Sequence, residues 1–225
     1  MLFTDPLYKY IIDLVMPNSC PFCGKLLIWD RLLCDDCEAD MPEKFREELK
    51  IGNVDGAVGA FYYEDKIIGQ IYSLKRGGNV NNFAELSSRI IAERLTEQGI
   101  SDKIDIVTAV PMYLGKKLTR GRNQAELLAG FVADAISKRT DFSLLARRKD
   151  TTEQHKLEKA ERLKHAEEVY AMNRKHTDIS GKTVLICDDV ITTGATIGVC
   201  AKVLKTAGAA EVYACSAAVS VIDKK

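Results

Sequence analysis

The stretch from Val184 to Thr196, VLICDDVITTGAT, narrows the folds open to this chain more than any other segment does. Val184 to Cys187 are four apolar residues in a row, the pattern of a strand buried on both faces in a parallel sheet. Asp188 and Asp189 follow at the sheet edge, and Thr192, Thr193, Gly194, Ala195 and Thr196 lie where a helix begins. Backbone N–H groups at such a turn, together with the positive end of the helix dipole, cradle a phosphate, and glycine permits close approach. The threonine hydroxyls add donors. Two neighbouring carboxylates repel each other unless a partner compensates them. The vicinal hydroxyls of a sugar can donate to both, and Mg2+ carried with a diphosphate supplies positive charge. The competing reading is a strand-to-helix turn with acidic capping residues, and the length of the run argues against it.

The surrounding pattern is α/β. Val58 to Tyr63 reads as a strand, Ile67 to Leu74 as a helix ending at Lys75-Arg76-Gly77-Gly78, and Phe83 to Glu97 as a second helix with 3.6-residue periodicity. Strand, loop and helix then repeat. Ile104 to Val110 is apolar and β-branched, Asn123 to Ser137 helical, and Phe142 to Ala146 a short strand. Thr183 to Cys187 leads through the glycine-containing loop to a helix over Ile197 to Thr206, and Val212 to Val219 closes as a strand. This alternation predicts an open parallel sheet flanked by helices, with ligands beyond the carboxyl ends of the strands. Glu43 to Lys50 reads as a charged, helix-like stretch after Pro42.

Four of the seven cysteines form two C-x2-C pairs, Cys20/Cys23 and Cys34/Cys37, separated by ten residues, with Gly24 directly after the first pair. Two such knuckles make a tetrahedral sulfur site suited to Zn2+, of structural rather than catalytic kind because four thiolates leave no open position. A disulfide-stapled loop is the alternative, and nothing in the chain reads as a secretion signal. Residues 1–42, a helix plus a zinc-ribbon-like module, and residues 43–225 are the expected domains. The metal would supply the folding energy of so small a module. Cys187, Cys200 and Cys215 lie in apolar segments, where a thiol behaves as a small hydrophobe.

Lysine plus arginine and aspartate plus glutamate are both 32, a formal net charge of zero, so any anion site must be local. Lys116, Lys117, Arg120 and Arg122 form a cationic run without an acid, able to neutralise a diphosphate or a nucleic-acid backbone, or simply to be solvated. Arg147 to Tyr170 is dense in charge. It reads either as a solvated helix or, from its place between two core strands, as a mobile cover. His155, His165 and His176 lie in or beside it, and none stands out as a general base. Leu7 to Met16 is apolar but interrupted by Lys9 and Asp13 and too short to span a bilayer, so no membrane insertion and a cytoplasmic location are expected.

The run at Val184–Thr196 matches the type I phosphoribosyltransferase fingerprint. The whole order resembles the ComF family: four cysteines, then Ser73-Leu74-Lys75-Arg76-Gly77-Gly78, Val110-Pro111-Met112, Arg120-Gly121-Arg122-Asn123-Gln124-Ala125, and finally the loop. Arg122 stands where the family usually has Phe. Arg148, Gln154, Leu157 and Arg162 follow a family pattern in the charged stretch, whereas His165 and Tyr170 replace its Asn and Phe. The resemblance implies that Asp188 and Asp189 bind the ribose and Thr192 to Thr196 the 5'-phosphate of phosphoribosyl diphosphate, with Mg2+. Lys75, Lys116, Lys117, Arg120, Arg122 and Arg148 are then candidate contacts to diphosphate or nucleic acid. It further implies a competence or DNA-uptake role on single-stranded DNA beside a ComFA-like helicase/ATPase. The alternative is an active phosphoribosyltransferase of nucleotide or cofactor metabolism with an unassigned acceptor and no assigned catalytic residue.

Overall fold

The computed structural model describes residues 7, 10, 11, 17–76, 81–113, 115, 122–148, 169–173 and 178–221, with backbone alone at 75–76. Five strands, β1 (Gly56–Tyr62), β2 (Ile106–Ala109), β3 (Arg139–Thr140), β6 (Thr183–Ile191) and β7 (Glu211–Val219), form one sheet in the order β1-β7-β6-β2-β3. Every pairing in it is parallel. The short strands β4 (Leu145–Arg147) and β5 (Tyr170–Met172) pair antiparallel outside it.

Helices cover both faces, as parallel strands require. Alternation along β6 sorts its side chains: Leu185 and Cys187 join one core, Val184 and Ile186 the other. The first core is closed by α2 (Asp65–Arg76), α3 (Asn81–Glu97) and α4 (Gln124–Ala135) through Ile67, Ile71, Phe83, Ile91, Leu128 and Val132. Phe61 of β1 stacks on Phe83 at 6.0 Å between ring centroids. The second core is closed by α5 (Ala195–Thr206), through Ile197, Cys200 and Leu204, and by the β4–β5 hairpin, through Leu145 and Tyr170. Among the described residues no helix is long and apolar enough to cross a membrane.

Two local expectations are corrected. Glu43 to Lys50 is not helical but lies as an irregular strap along β1. Lys44 makes an isolated antiparallel bridge with Phe61, and the N–H of Phe45, 1% exposed, donates to the Ala60 carbonyl. Arg94 of α3 donates to the carbonyls of Phe45 and Arg46, at 2.7 and 3.3 Å, so tertiary partners hold the groups that a helix ladder would use. Phe142 to Ala146 is not one strand either. Asp141 Oδ1 accepts from the Ser143 N–H and hydroxyl at 2.9 and 2.6 Å, a turn that starts the strand at Leu145. The charged cover read between Arg147 and Tyr170 falls mostly on 149–168, outside the described residues.

Candidate functional site: a phosphate loop and a four-sulfur cluster

The central strand does not stop at Cys187. β6 stays paired with β7 through both acids, Asp188 opposite Ser216 and Ile191 opposite Val219. Asp188 Oδ1 accepts from the N–H of Asp189 at 2.8 Å, and Asp189 Oδ1 from that of Val190 at 2.9 Å. Such local bonds compete with the regular ladder, and the alternation slips here. Val190 packs on the α3–α4 core, and the next residue, Ile191, on the α5 core. Both carboxylates are thereby held half-buried at the carboxyl edge of the sheet.

Thr192 and Thr193 follow, exposed, and Gly194 caps α5 at φ 72°, ψ 1°, the left-handed region that favours glycine. Thr193 Oγ1 accepts from the Ala195 N–H at 3.4 Å. The first turn of α5 contains no acid, so its N–H groups and dipole are not pre-neutralised by its own side chains. The turn is braced from outside. A Cβ on Gly194 would lie 2.9 Å from Ile51 Cγ1, and one on Gly198 2.9 Å from the Gly52 carbonyl oxygen. Asn53 Nδ2 donates to the Gly198 carbonyl at 3.2 Å.

The hairpin adds residues that sequence reading missed. Tyr170, 7% exposed, packs on α5 with the Arg147 guanidinium carbon 5.6 Å from its ring centroid. Burial pushes the Tyr170 hydroxyl up to about 12. Arg147 pulls against that, the charge of Asp188 adds to it, and a hydrogen bond joins Tyr170 to the Thr196 side chain. The same burial, with Asp188 nearby, raises the Cys200 thiol. Arg147 therefore sits beside the loop, while Arg148, next in line, is exposed and, among the described residues, engaged through its N–H to the Val169 carbonyl. Its position at the end of an apolar strand was the one available signal.

The remaining expected contacts are scattered. Lys75 lies in the last turn of α2 without a described side chain, and Lys116, Lys117 and Arg120 lie outside the described residues. Arg122 reaches Asn81 Oδ1 at 3.5 Å. Its neighbour Asn123 caps α4, accepting from the Ala125 N–H and donating to the carbonyl of Val110, just past β2. β2 pairs with β6, so Arg122 belongs to the same sheet edge as the acids, one strand away.

At the other end of the chain, Cys20, Cys23, Cys34 and Cys37 bring their sulfurs within 4.8 Å of one another. Each pair is bent as its spacing implies. Gly24, at φ 75°, turns the first knuckle, closed by Cys20 N–H to Lys25 O and Gly24 N–H to Cys20 O. Cys34 caps the short α1 (Asp35–Ala39), which carries Cys37 inward. Cys23 and Cys34 sulfurs stand 3.6 Å apart, far longer than the ~2.05 Å of a disulfide and close to the ~3.8 Å that tetrahedral bonds of ~2.3 Å to zinc require. Burial alone would raise the Cys20 thiol, but N–H groups of Cys34, Cys23 and Phe22 outweigh it and bring it down to about 6. Burial and the neighbouring thiols push Cys37 up to about 12. The donor set fits a soft, thiolate-binding cation. The cluster leans on the start of α3, with Phe22 edge-on to Phe83 at 6.4 Å and Asn82 donating to Asn18 Oδ1 at 2.6 Å.

The central strand of this all-parallel sheet carries two anchored acids and leads through a glycine-bent turn into a helix N-terminus, and residues 122–224 match the phosphoribosyl transferase domain family. Over most of its length the chain is similar to DNA utilization protein YhgH of Escherichia coli O6:H1, 26% identical over 198 residues that cover 86% of this chain and 80% of the relative. YhgH of Salmonella typhi is 30% identical over 127 residues, 56% of this chain and 53% of its own. Competence protein F of Haemophilus influenzae is 27% identical over 108 residues, 48% and 47% of the two chains. These matches bear out the resemblance to the ComF family. Among solved structures, a purine phosphoribosyltransferase from Pyrococcus horikoshii OT3 covers 71% of this chain and 76% of its own at 18% identity, with a TM-score of 0.34.

Proposed function

We propose that the chain is a ComF-like competence protein of DNA uptake, located in the cytoplasm, that holds phosphoribosyl diphosphate at the edge of β6. The observation that carries this reading is the anchored acid pair leading directly into an unneutralised, glycine-capped helix start. Asp188 and Asp189 accept the ribose hydroxyls, while the N–H groups and hydroxyls of Thr192 to Thr196 take the 5'-phosphate. Mg2+, when bound with the diphosphate, offsets its charge. Arg122, with Lys116, Lys117 and Arg120 before it in the sequence, supplies positive charge for the diphosphate or for single-stranded DNA. The names of the relatives, DNA utilization protein and Competence protein F, support the DNA reading. A ComFA-like helicase/ATPase is the partner this reading carries with it. Residues 1–42 form the Zn2+-holding module and residues 43–225 the phosphoribosyl domain. Calorimetric titration with phosphoribosyl diphosphate and Mg2+ tests it. Saturable binding is expected, weakened tenfold or more, about 1.4 kcal/mol, in Asp188→Ala. A chain that takes up no phosphoribosyl diphosphate ends this reading.

A second reading, favoured by the family match over residues 122–224, is turnover. Stabilisation of departing diphosphate by cations is then the main source of rate, with an acceptor attacking the ribose anomeric carbon. Diphosphate release across a panel of bases and amines decides it. Binding without release leaves the first reading alone.

A further inference from the structure

The opposite edge of the sheet from the phosphate loop holds a second cleft, of about 720 Å3, within the range of small-molecule sites. Its floor is the start of β1 and β7, Gly56 and Tyr213, and one wall is the strap over residues 46–54. Arg46, Arg94 and Lys103 contribute to its lining, and among the described residues no carboxylate is paired with any of the three.

Two of the three acids of the lining have a lysine beside them, and the third, Glu47, accepts from a tyrosine and keeps its charge. Asp55 accepts from Lys205 Nζ at 2.8 Å and from the Val212 N–H at 2.7 Å. Glu47 takes the Tyr62 hydroxyl at 3.1 Å, and Glu48 lies 3.8 Å from Lys50. Arg94 is 8% exposed, bonds only to carbonyls through its Nη atoms, and leaves Nε buried with no hydrogen-bond partner among the described residues. A buried guanidinium without a counter-ion is costly and makes the inner wall attractive to an anion. Lys103 stands close enough to Tyr213 for its charge to act on that hydroxyl. Arg46 and Lys103 are exposed, so their ammonium and guanidinium groups are open to a ligand at the mouth.

We infer that this cleft is a second anion site, built for a diphosphate-bearing small molecule, at the start of β1 and β7 and lined by neither Asp188 nor Asp189. Arg46 and Lys103 at the mouth, with the charge of Arg94 behind them, suit a diphosphate, and the Arg46 guanidinium can bind its oxygens in pairs. The site shares the strap with the phosphate loop, through Ile51 and Gly52, but its cations belong to other residues, so it stands whether or not that loop binds phosphoribosyl diphosphate.

Calorimetry with inorganic pyrophosphate, in chelator and at low salt, provides the test. It compares the wild type, an Arg46→Ser/Lys103→Ser variant, and a Thr192→Ala/Thr193→Ala variant. Both substituted pairs are exposed, so circular dichroism should report an unchanged fold. The expected result is a binding event that survives in the threonine variant and weakens at least tenfold in the Arg46/Lys103 variant. Either no pyrophosphate binding in the wild type, or binding lost with the threonines and untouched by the Arg46/Lys103 pair, overturns the inference.

Discussion

Gly198 reads in the sequence as an unremarked helix position, yet its missing side chain sets how closely the strap approaches the phosphate loop. A Cβ there would stand 2.9 Å from the Gly52 carbonyl oxygen, a backbone atom that cannot rotate aside. Alanine gains up to ~1 kcal/mol of helix propensity, but forcing atoms into a packed contact costs about 1–3 kcal/mol. Gly198→Ala is therefore expected to be net destabilising, with Tm lower by roughly 2–4 °C for each kcal/mol in a chain of this size, measured by calorimetric melting. Gly194→Ala adds backbone strain at φ 72° to a contact with Ile51 Cγ1 at 2.9 Å. It should cost more than Gly198→Ala, and Ile51→Ala combined with it should recover only the contact part. Equal melting of all these variants with the wild type would show that the strap does not press on the loop. Asp55 offers a pH readout of the same neighbourhood. Burial works against its charge, but Lys205 and the Val212 N–H outweigh that and hold its carboxyl below the usual range. Its contribution is thus present above the unfolded carboxylate pKa of about 4 and is lost as pH falls through the lower folded value. In Asp55→Asn the melting temperature should fall less steeply below about pH 4 than in the wild type, over a difference of at most about 1 kcal/mol.

Among the elements, the four-cysteine segment has the least apolar core: Cys20, Leu33, Cys34 and Cys37 are its buried cluster, and three of those four are ligand candidates. A segment of this kind would take its order from an ion held by the four thiolates. Cys37→Ser, or extraction of metal by a strong chelator, is expected to abolish zinc content by metal analysis and to expose residues 17–42 to proteolysis. The parallel sheet, with its own two cores, should persist in the far-ultraviolet spectrum. A purified chain without stoichiometric metal, yet protease-resistant over 17–42, contradicts this. The cysteine spacing and the acid-threonine run were legible because each is local, encoded within eighteen and thirteen residues respectively. The long helices were legible too, since α3 and α4 carry one-sided apolar periodicity. What escaped the sequence depends on contacts between distant residues. Glu43 to Lys50 places Phe45 and Leu49 four apart like a helix, but Phe45 is drawn to Ala60 and its carbonyl to Arg94. The pairing of Arg147 with Tyr170 joins residues on either side of a charged stretch, and no periodicity within either strand announces it.

For the molecule as a whole, a formal net charge of zero limits how it can meet nucleic acid. Non-specific affinity comes from counterions released as cations neutralise phosphates, with a slope of log K against log salt near −0.7 per contact for single strands. No global field assists here, so the number of contacts is set by local clusters. If the DNA reading holds, the basic run of Lys116, Lys117, Arg120 and Arg122 supplies about four contacts and a slope of about −3. That is far shallower than a strongly basic protein would give. Titration of a labelled single-stranded oligonucleotide across a range of salt measures it. Replacing Lys116, Lys117 and Arg120 by glutamine should bring the slope towards −0.7 without altering the affinity for pyrophosphate at the cleft of Arg46 and Lys103, because the cleft's lining includes none of the three. A steep slope that these substitutions leave unchanged would move the DNA contacts elsewhere on the surface. Binding that does not respond to salt at all would remove phosphate neutralisation, and with it the electrostatic basis of the DNA reading.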